Sequence, residues 1–158
     1  MKEAEKIKQE LLQNFNLPDE TIRIQRPKRL WLETDPGKFA EIFDYAVKQA
    51  GFTFLCTITG LDEGADFGLI YHLSSDDGVM LNLKTKTPKE QPIKTITGYF
   101  PSGAIYEREL IDLLGIKVTG LPEGRHYPLP DDWPEGQHPL RKDWNIEMLD
   151  KGKGAKNG

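Results

Sequence analysis

The sequence is poor in cysteine and in long hydrophobic runs, and each shortage excludes a class of protein. Cys56 is the only cysteine in 158 residues. The chain therefore forms no internal disulfide and cannot by itself ligate an iron–sulfur cluster, which normally takes four thiolates. No apolar run approaches the roughly 20 residues that span a bilayer, and the lysine-rich start lacks the apolar core of a signal peptide. We therefore expect a cytoplasmic protein.

Excess positive charge is also missing. The formal net charge is -4, whereas a nucleic-acid-binding domain usually shows a concentrated basic face. The sequence has no Gly-rich phosphate loop, no nucleophile elbow and no regularly spaced metal-binding motif. The chain as a whole contains 37% hydrophobic and 29% charged residues. This composition is typical of a globular domain with its own core.

Helical periodicity occurs in three places. The first, Met1 to Asn14, has apolar residues on one side. We expect it to pack on its own domain and not on a membrane surface, because its polar face carries as many Glu as Lys residues. The second begins at Asp35-Pro36, since a capping side chain precedes a proline suited to the first turn, and Gly51 closes it. The third runs from Ser102, whose hydroxyl can cap a free amide, to Gly115, which tolerates a left-handed conformation.

Strand periodicity surrounds a Ser-Asp-Asp-Gly turn. The alternating segments Phe67–Leu73 and Val79–Lys84 predict an antiparallel hairpin, with His72 hydrogen-bonded or solvated on its more polar face. Phe52–Thr59 predicts another strand, with Cys56 buried on its aromatic side. Further short strands are expected at Thr21–Gln25, Arg29–Glu33 and, as an edge strand, Ile93–Tyr99. Residues 1–117 thus predict an α+β domain, a mixed, largely antiparallel sheet packed by two or three helices.

The third helix carries charged residues at informative positions. Glu107 lies beside the apolar stripe and should be half-buried, so it needs amide donors or a cation such as Arg125 or Arg141. Arg108 and Asp112 lie on the opposite side, one turn apart, and we expect them to pair. Glu107 and Glu109 point apart and cannot hold one metal together. The apolar stripe itself consists of Tyr106, Leu110, Leu113 and Leu114, with Ile111 at its margin.

The helix is followed by a long segment without helical or strand period. Prolines recur from Pro122 to Pro139 and exclude long regular structure. Trp and Arg side chains commonly anchor protein interfaces. We therefore interpret residues 118–147 as a long, Pro-rich, extended partner-binding arm, and residues 148–158 as a disordered basic tail. The anchoring side chains would be Trp133, Arg141, Lys142 and Trp144.

Three blocks in this region resemble one protein family. Glu107-Arg108-Glu109 followed by Leu-Ile-Asp-Leu-Leu-Gly-Ile, then Leu129-Pro-Asp-Asp-Trp133, then His138-Pro-Leu-Arg-Lys-Asp-Trp144, resemble the C subunit of NADH:ubiquinone oxidoreductase, respiratory complex I. The same family occurs in membrane-bound energy-converting NiFe hydrogenases. Gly120–His126 departs from the Gly-His-Pro-Asp-Leu-Arg-Arg block of many members, which favours the hydrogenase branch.

The resemblance implies a non-catalytic structural subunit of the peripheral arm of such a complex. It would bind no cofactor itself and would dock on the large catalytic subunit, which is quinone-binding in complex I and nickel-bearing in the hydrogenases, beside iron–sulfur subunits. The protein would support electron transfer coupled to ion translocation, on the cytoplasmic side of the membrane, and contact the membrane only through the complex. Interface or structural residues would be Glu107, Arg108, Glu109, Asp112, Trp133, His138, Pro139, Arg141, Lys142 and Trp144.

A different function stays open from the residues alone. His126 and His138 lie in the Pro-rich segment together with Asp131, Asp132 and Glu135. Imidazole and carboxylate groups are metal ligands. The alternative is therefore a free-standing, small metal-dependent enzyme built on this segment.

Overall fold

The helices and strands of the structure lie largely where the spacing of hydrophobic residues predicts them. The computed structural model describes residues 3–149, so most of the predicted tail lies outside the described residues. The helices are α1 (Glu3–Phe15), α2 (Pro36–Lys48) and α3 (Gly103–Leu114), with a short 3-10 turn at Asp19–Thr21. The strands are β1 (Ile22–Arg26), β2 (Arg29–Glu33), β3 (Phe54–Asp62), β4 (Asp66–Ser74), β5 (Met80–Pro88), β6 (Ile93–Lys94) and β7 (Val118–Thr119).

Five strands form one sheet in the order β1-β2-β5-β4-β3. The pairs β1/β2, β4/β5 and β3/β4 are antiparallel, and β2/β5 is parallel. The predicted hairpin is confirmed, since Ser74 lies opposite Met80 and Gly78 in the turn has a φ of 74°. The sheet is mixed and largely antiparallel with helices packed on it, so the α+β fold class is confirmed.

One face of the sheet carries the core. The side chains of Leu69, Tyr71 and Leu73 on β4 are buried there, and each helix adds its apolar side to the same cluster. Phe43 of α2 packs edge-on against Tyr71, with ring centroids 5.5 Å apart. Burying side chains of this size stabilises the fold by roughly 1.5–3 kcal/mol each. The described helices include none long and apolar enough to cross a membrane.

Helix α3 lies directly on edge strand β3 because that strand has a glycine at the contact. A Cβ atom at Gly60 would lie 2.6 Å from Leu110 Cδ2 and 2.5 Å from Leu114 Cδ1. These distances are too short for any side chain, so only glycine permits the contact. This packing fixes the position of α3 and, with it, the site described below.

Two strand predictions are wrong in detail. Cys56 is exposed, because the register shifts between Leu55 and Thr57 and a bulge removes Cys56 from the alternation. The predicted edge strand Ile93–Tyr99 shortens to β6, which pairs in parallel with β7 in a separate two-stranded sheet.

Both predicted capping side chains are also wrong, although the helices begin where they were expected. Neither Asp35 nor Ser102 makes a side-chain hydrogen bond to the first turn. Ser102 has φ -61° and ψ -20°, which is already helical, whereas a capping residue has an extended backbone. At the other end the prediction is confirmed, because Gly115 has a φ of 74° and its amide bonds back to Ile111.

Candidate interaction site on helix α3 and the C-terminal segment

The inner side of α3 contains a fully buried carboxylate. Glu107 is 0% exposed. Its Oε1 accepts the amide of Ile96 at 2.7 Å and its Oε2 accepts the hydroxyl of Thr95 at 2.6 Å. Burial raises the pKa of Glu107, and these two bonds oppose the rise. The carboxylate therefore connects α3 to the two residues that follow β6.

The prediction for Glu107 was partly right. An amide donor satisfies the carboxylate, but burial is complete rather than partial, and neither predicted cation is its partner. Arg125 pairs with Asp131 at 2.7 Å, and Arg141 pairs with Asp143 at 3.2 Å. Both arginines lie in residues 120–149, which we call the C-terminal segment.

Asp112 was expected on the exposed side of α3 and is instead buried, at 5% exposure. The C-terminal segment covers it, which helical periodicity alone does not reveal. Its Oδ2 accepts the amide of Leu129 at 3.2 Å, and its Oδ1 lies 3.0 Å from Nδ1 of His126. The bond to Asp112 raises the pKa of His126. One carboxylate thus binds the segment at two points.

Arg108 does not pair with Asp112, contrary to expectation. Its guanidinium donates to the carbonyl of Pro122 at 3.0 Å and to that of Glu123 at 3.3 Å. It also lies against Gly124, where a Cβ atom would collide with the guanidinium. Arg108 therefore binds the backbone at the beginning of the segment.

The segment also completes the end of α3. The last carbonyls of a helix have no partner inside it. Nδ1 of His138 donates to the carbonyl of Asp112 at 2.8 Å, and the amide of Leu140 donates to that of Leu113 at 2.9 Å. The His138 ring lies against Gly115, where a Cβ atom would be 2.6 Å from Cδ2 of the ring. Two residues of the C-terminal segment, 26 and 27 positions after their partners, thus satisfy carbonyls at the end of α3.

The two predicted tryptophan anchors are linked through Gln137 inside the segment. Nε1 of Trp133 donates to the carbonyl of Gln137 at 2.9 Å, and Nε1 of Trp144 donates to Oε1 of Gln137 at 3.1 Å. The ring centroids are 6.2 Å apart, and both residues are half-buried. Gln137 also donates to the carbonyl of Met148 at 3.0 Å. This arrangement gives the segment a small structural centre of its own.

A second carboxylate, which the sequence pattern did not single out, holds the segment from β3. Asp62 has a side chain only 2% exposed, 2.8 Å from Nζ of Lys89. It accepts the amides of Lys142 at 2.9 Å and Gly64 at 3.0 Å. Lys89 holds the pKa of Asp62 well below its usual range. The Asp-x-Gly pattern signals a local turn, but nothing local indicates a contact 80 residues away.

The remaining predicted residues are placed as follows. The Arg141 guanidinium lies over the ring of Phe67, 5.8 Å from its centroid. Lys142 is exposed, whereas Glu109 and Pro139 are half-buried. The same segment leaves large apolar side chains in solvent, with exposed fractions of 58% for Leu140 and 66% for Ile146.

The two histidines do not assemble a metal-ligand set within the described part of the chain. His126 and His138 both reach Asp112, but one meets its carboxylate and the other its backbone carbonyl. Residues 3–149 contain no group of three or more His, Cys, Asp or Glu side chains that could hold a metal ion. The arrangement suits fixing the shape of the segment.

Comparison with known proteins identifies the family of the chain. Residues 32–148 match the family described as "Respiratory-chain NADH dehydrogenase, 30 Kd subunit". The match spans well over half of the chain, and the chain belongs to this family.

Individual relatives are named as subunits of different enzymes. The C subunit of the F(420)H(2) dehydrogenase of Methanosarcina mazei is 34% identical over 77% of this chain and 78% of that protein. The C subunit of the NADH-quinone oxidoreductase of Moorella thermoacetica is 33% identical over 63% of this chain and 69% of its own length. The beta subunit of the membrane-bound hydrogenase of Pyrococcus furiosus is 25% identical over 90% of this chain and 87% of its own.

A solved structure shares the fold. A chain from the membrane-bound sulfane sulfur reductase (MBS), an archaeal respiratory membrane complex, superposes with a TM-score of 0.75. The superposition covers 98% of this chain and 93% of that chain at 23% sequence identity. At this identity the likeness establishes the α+β fold.

Proposed function

We propose that this protein is a non-catalytic structural subunit of a membrane-bound oxidoreductase related to complex I. The complex would be an energy-converting hydrogenase or an NADH:quinone oxidoreductase. Relatives named as the C subunit of NADH-quinone oxidoreductase and as the beta subunit of a membrane-bound hydrogenase support both types. The protein would lie in the peripheral arm, on the cytoplasmic side, and would contact the membrane only through the complex.

The observation that carries the proposal is a segment of fixed shape that exposes apolar side chains. Asp112 and Asp62 hold its backbone at Leu129 and Lys142. Between and beyond these points Leu140 and Ile146 are exposed. A preordered surface loses little conformational entropy on binding. Exposed Leu and Ile side chains on such a surface suit contact with the large catalytic subunit.

The work of such a subunit is to keep cofactors of other subunits at fixed distances. The partner subunits are expected to carry iron–sulfur clusters and either a NiFe centre or a quinone site. A rigid α+β domain that docks on the large subunit restrains its position against the iron–sulfur subunits. Electron transfer coupled to ion translocation would take place in those partners.

The test is a pair of substitutions on the segment. The double variant Leu140→Asp with Ile146→Asp places two carboxylates on the apolar surface. It keeps the backbone amide of residue 140, which donates to the carbonyl of Leu113. We expect the tagged full-length variant to lose most of its co-purification with the large subunit, because charged groups at an interface centre cost several kcal/mol. Its thermal unfolding should change little, since both side chains are exposed.

The matched control is Ile105→Asp, at an apolar residue of α3 that is 43% exposed. This variant should assemble like the parent protein. Equal loss in the control, or full assembly of the double variant, would contradict docking through the segment. A stoichiometric metal bound through His126 and His138 in the purified protein would contradict the non-catalytic role.

A further inference from the structure

The second face of the sheet is bare of helices in the part of the chain that the structure describes. All three helices join the core cluster on the other face. Strand register defines the residues that cross the open face side by side. The central row runs Arg23, Trp31, Asn82, His72 and Thr57 from β1 to β3.

The centre of this face is a fixed hydrogen-bonded chain. Nδ1 of His72 donates to Oδ1 of Asn82 at 2.7 Å, and Nε2 of His72 lies 2.9 Å from the hydroxyl of Thr59. The amide nitrogen of Asn82 donates to the carbonyl of Leu30 at 3.0 Å. The predicted hydrogen-bonded state of His72 is thereby confirmed. These bonds hold the polar side chains at the centre of the face in place.

One end of the open face is strongly basic. The β1–β2 hairpin contains Arg23, Arg26, Lys28 and Arg29, and no acidic residue lies between Thr21 and Glu33. All four cations are exposed, and none forms an ion pair within residues 3–149. Since the whole chain has a net charge of -4, the remainder is more strongly negative than the whole.

Fold stability explains only part of this cluster. Arg26 lies directly opposite Arg29 across the hairpin, and facing like charges destabilise a sheet. Charges on an edge strand do prevent unwanted strand pairing. That role suits Arg23 and Arg26 on edge strand β1, and Nζ of Lys28 donates to the carbonyl of Asp77 at 2.6 Å. Neither role applies to Arg29, which begins β2, an inner strand.

Apolar and aromatic groups adjoin the cations. Arg29 neighbours Met80 on the next strand, with Nη2 of Arg29 3.9 Å from Sδ of Met80. Arg23 neighbours Trp31, which is half-buried and whose indole N–H has no acceptor among the described residues. Farther along the same face Phe54 is 58% exposed. Arginine beside tryptophan is typical of the most strongly bound part of a protein interface.

We infer that the basic hairpin and the adjoining open sheet face form a second protein interface, whose partner is an acidic surface of another subunit of the same complex. The inference rests on the proposed function. An anionic membrane or a nucleic acid would extend past the hairpin and meet the negative remainder of the chain. A folded protein can confine its carboxylates to the hairpin, and its oxygens can accept from the arginines.

The first experiment reverses two charges in the assembled complex. The double variant Arg23→Glu with Arg26→Glu is compared with a control, Lys38→Glu with Lys94→Glu, at two exposed lysines outside the hairpin. Neither control lysine forms an ion pair among the described residues, and Lys38 donates one hydrogen bond, to the carbonyl of Phe15 at 3.3 Å. Tagged full-length variants are isolated with the native complex at increasing salt. We expect the hairpin variant to retain the neighbouring subunit roughly tenfold less well at moderate salt, and the control to match the parent. Folding should be preserved, because Arg26→Glu places opposite charges across the hairpin.

The second experiment identifies the partner directly. A photoreactive residue replaces Gln25, between the arginines, and the irradiated complex is analysed by mass spectrometry. The expected product is a peptide of another subunit rich in Asp and Glu, and changing those acids to Lys should restore the assembly of the hairpin variant. Cross-links to lipid, to nucleic acid or to no other subunit would overturn the inference.

These experiments distinguish an error in the second interface from an error in the proposed function. If the parent protein enters the complex and the hairpin variant does so equally well at all salt concentrations, only the second interface is wrong. If the parent protein enters no complex, the proposed function itself is wrong.

Discussion

The two sides of α3 hold their neighbours by different physical means. The inner side lies on the sheet through Leu110 and Leu114 at Gly60, and its one carboxylate, Glu107, is closed off from water. The outer side holds the C-terminal segment through Asp112, Arg108 and the helix-end carbonyls. Apolar burial stabilises the first contact, whereas directional hydrogen bonds shape the second. A surface segment can thus be ordered without belonging to the main core.

The strongest way to test this contrast is to remove an apolar contact on the inner side. Leu110→Ala should lower the free energy of unfolding by about 2–5 kcal/mol, because a cavity forms between α3 and β3. Chemical denaturation of the isolated protein measures the loss. The exposed Ile105→Ala on the same helix should change stability by no more than about 0.5 kcal/mol. Similar losses in both variants would show that the inner contact is not the stabilising one.

The next effect concerns the buried carboxylate. Glu107→Ala leaves the Ile96 amide and the Thr95 hydroxyl without their acceptor and should cost about 1–3 kcal/mol. Glu107→Gln should cost less, since its carbonyl still accepts the amide while the Thr95 hydroxyl can accept from the new NH2 group. Thermal unfolding near neutral pH distinguishes the two. An unchanged melting temperature in Glu107→Ala would mean that water replaces the carboxylate.

A smaller and local effect is expected on the outer side. Asp112→Ala removes the acceptor of the Leu129 amide and the partner of His126, so the C-terminal segment should open while the sheet stays folded. Hydrogen exchange should become faster in residues 120–149 and remain unchanged in β4 and β5. Asp112→Asn keeps one acceptor oxygen, so its hydrogen exchange in residues 120–149 should be intermediate between that of the parent protein and that of Asp112→Ala. Faster exchange throughout the sheet would contradict the separation of the two sides.

The smallest effect is a pH dependence of the same contact. Asp112 raises the pKa of His126 above its ordinary value of 6.5. The stability that the His126–Asp112 pair contributes is therefore fully present below pH 6.5. It is lost as the pH rises through the raised pKa of His126. Nuclear magnetic resonance titration of the His126 ring should report this pKa, and Asp112→Asn should lower it. A ring that titrates identically in both proteins would show that the pair does not form in solution.

Much of the fold follows from local pattern. The hairpin of β4 and β5 was predictable from alternating residues and Gly78, and the end of α3 from Gly115. The bulge at Cys56 was not, because the alternation of Phe52–Thr59 shows no break where the register of β3 shifts against β4. Asp112 was misplaced for a related reason. Helical spacing reports which side faces the core and says nothing about a segment that returns over the other side.

For the candidate site, the sequence identified many of the residues and did not identify their contacts. The three family blocks brought together Glu107, Asp112 and His138, but the pairs expected among the charged residues were wrong. Asp62 was missed because its turn signal is local and its contact with Lys142 is not. Whether Trp133 and Trp144 also contact a partner stays a prediction, as do the cofactors of the neighbouring subunits and the division of the chain at residue 117.

By itself the sequence determined the α+β class, the positions of the main helices and strands, and the family. The class and the element positions depend on the spacing of apolar residues and on turn glycines, which act over a few residues. The family depends on the three sequence blocks between Glu107 and Trp144. Only the tertiary structure decided which carboxylate is buried, which groups satisfy it, and how residues 120–149 complete the end of α3. Those outcomes depend on contacts between distant positions, and a buried polar group accepts whichever donor the packed chain brings within about 3 Å.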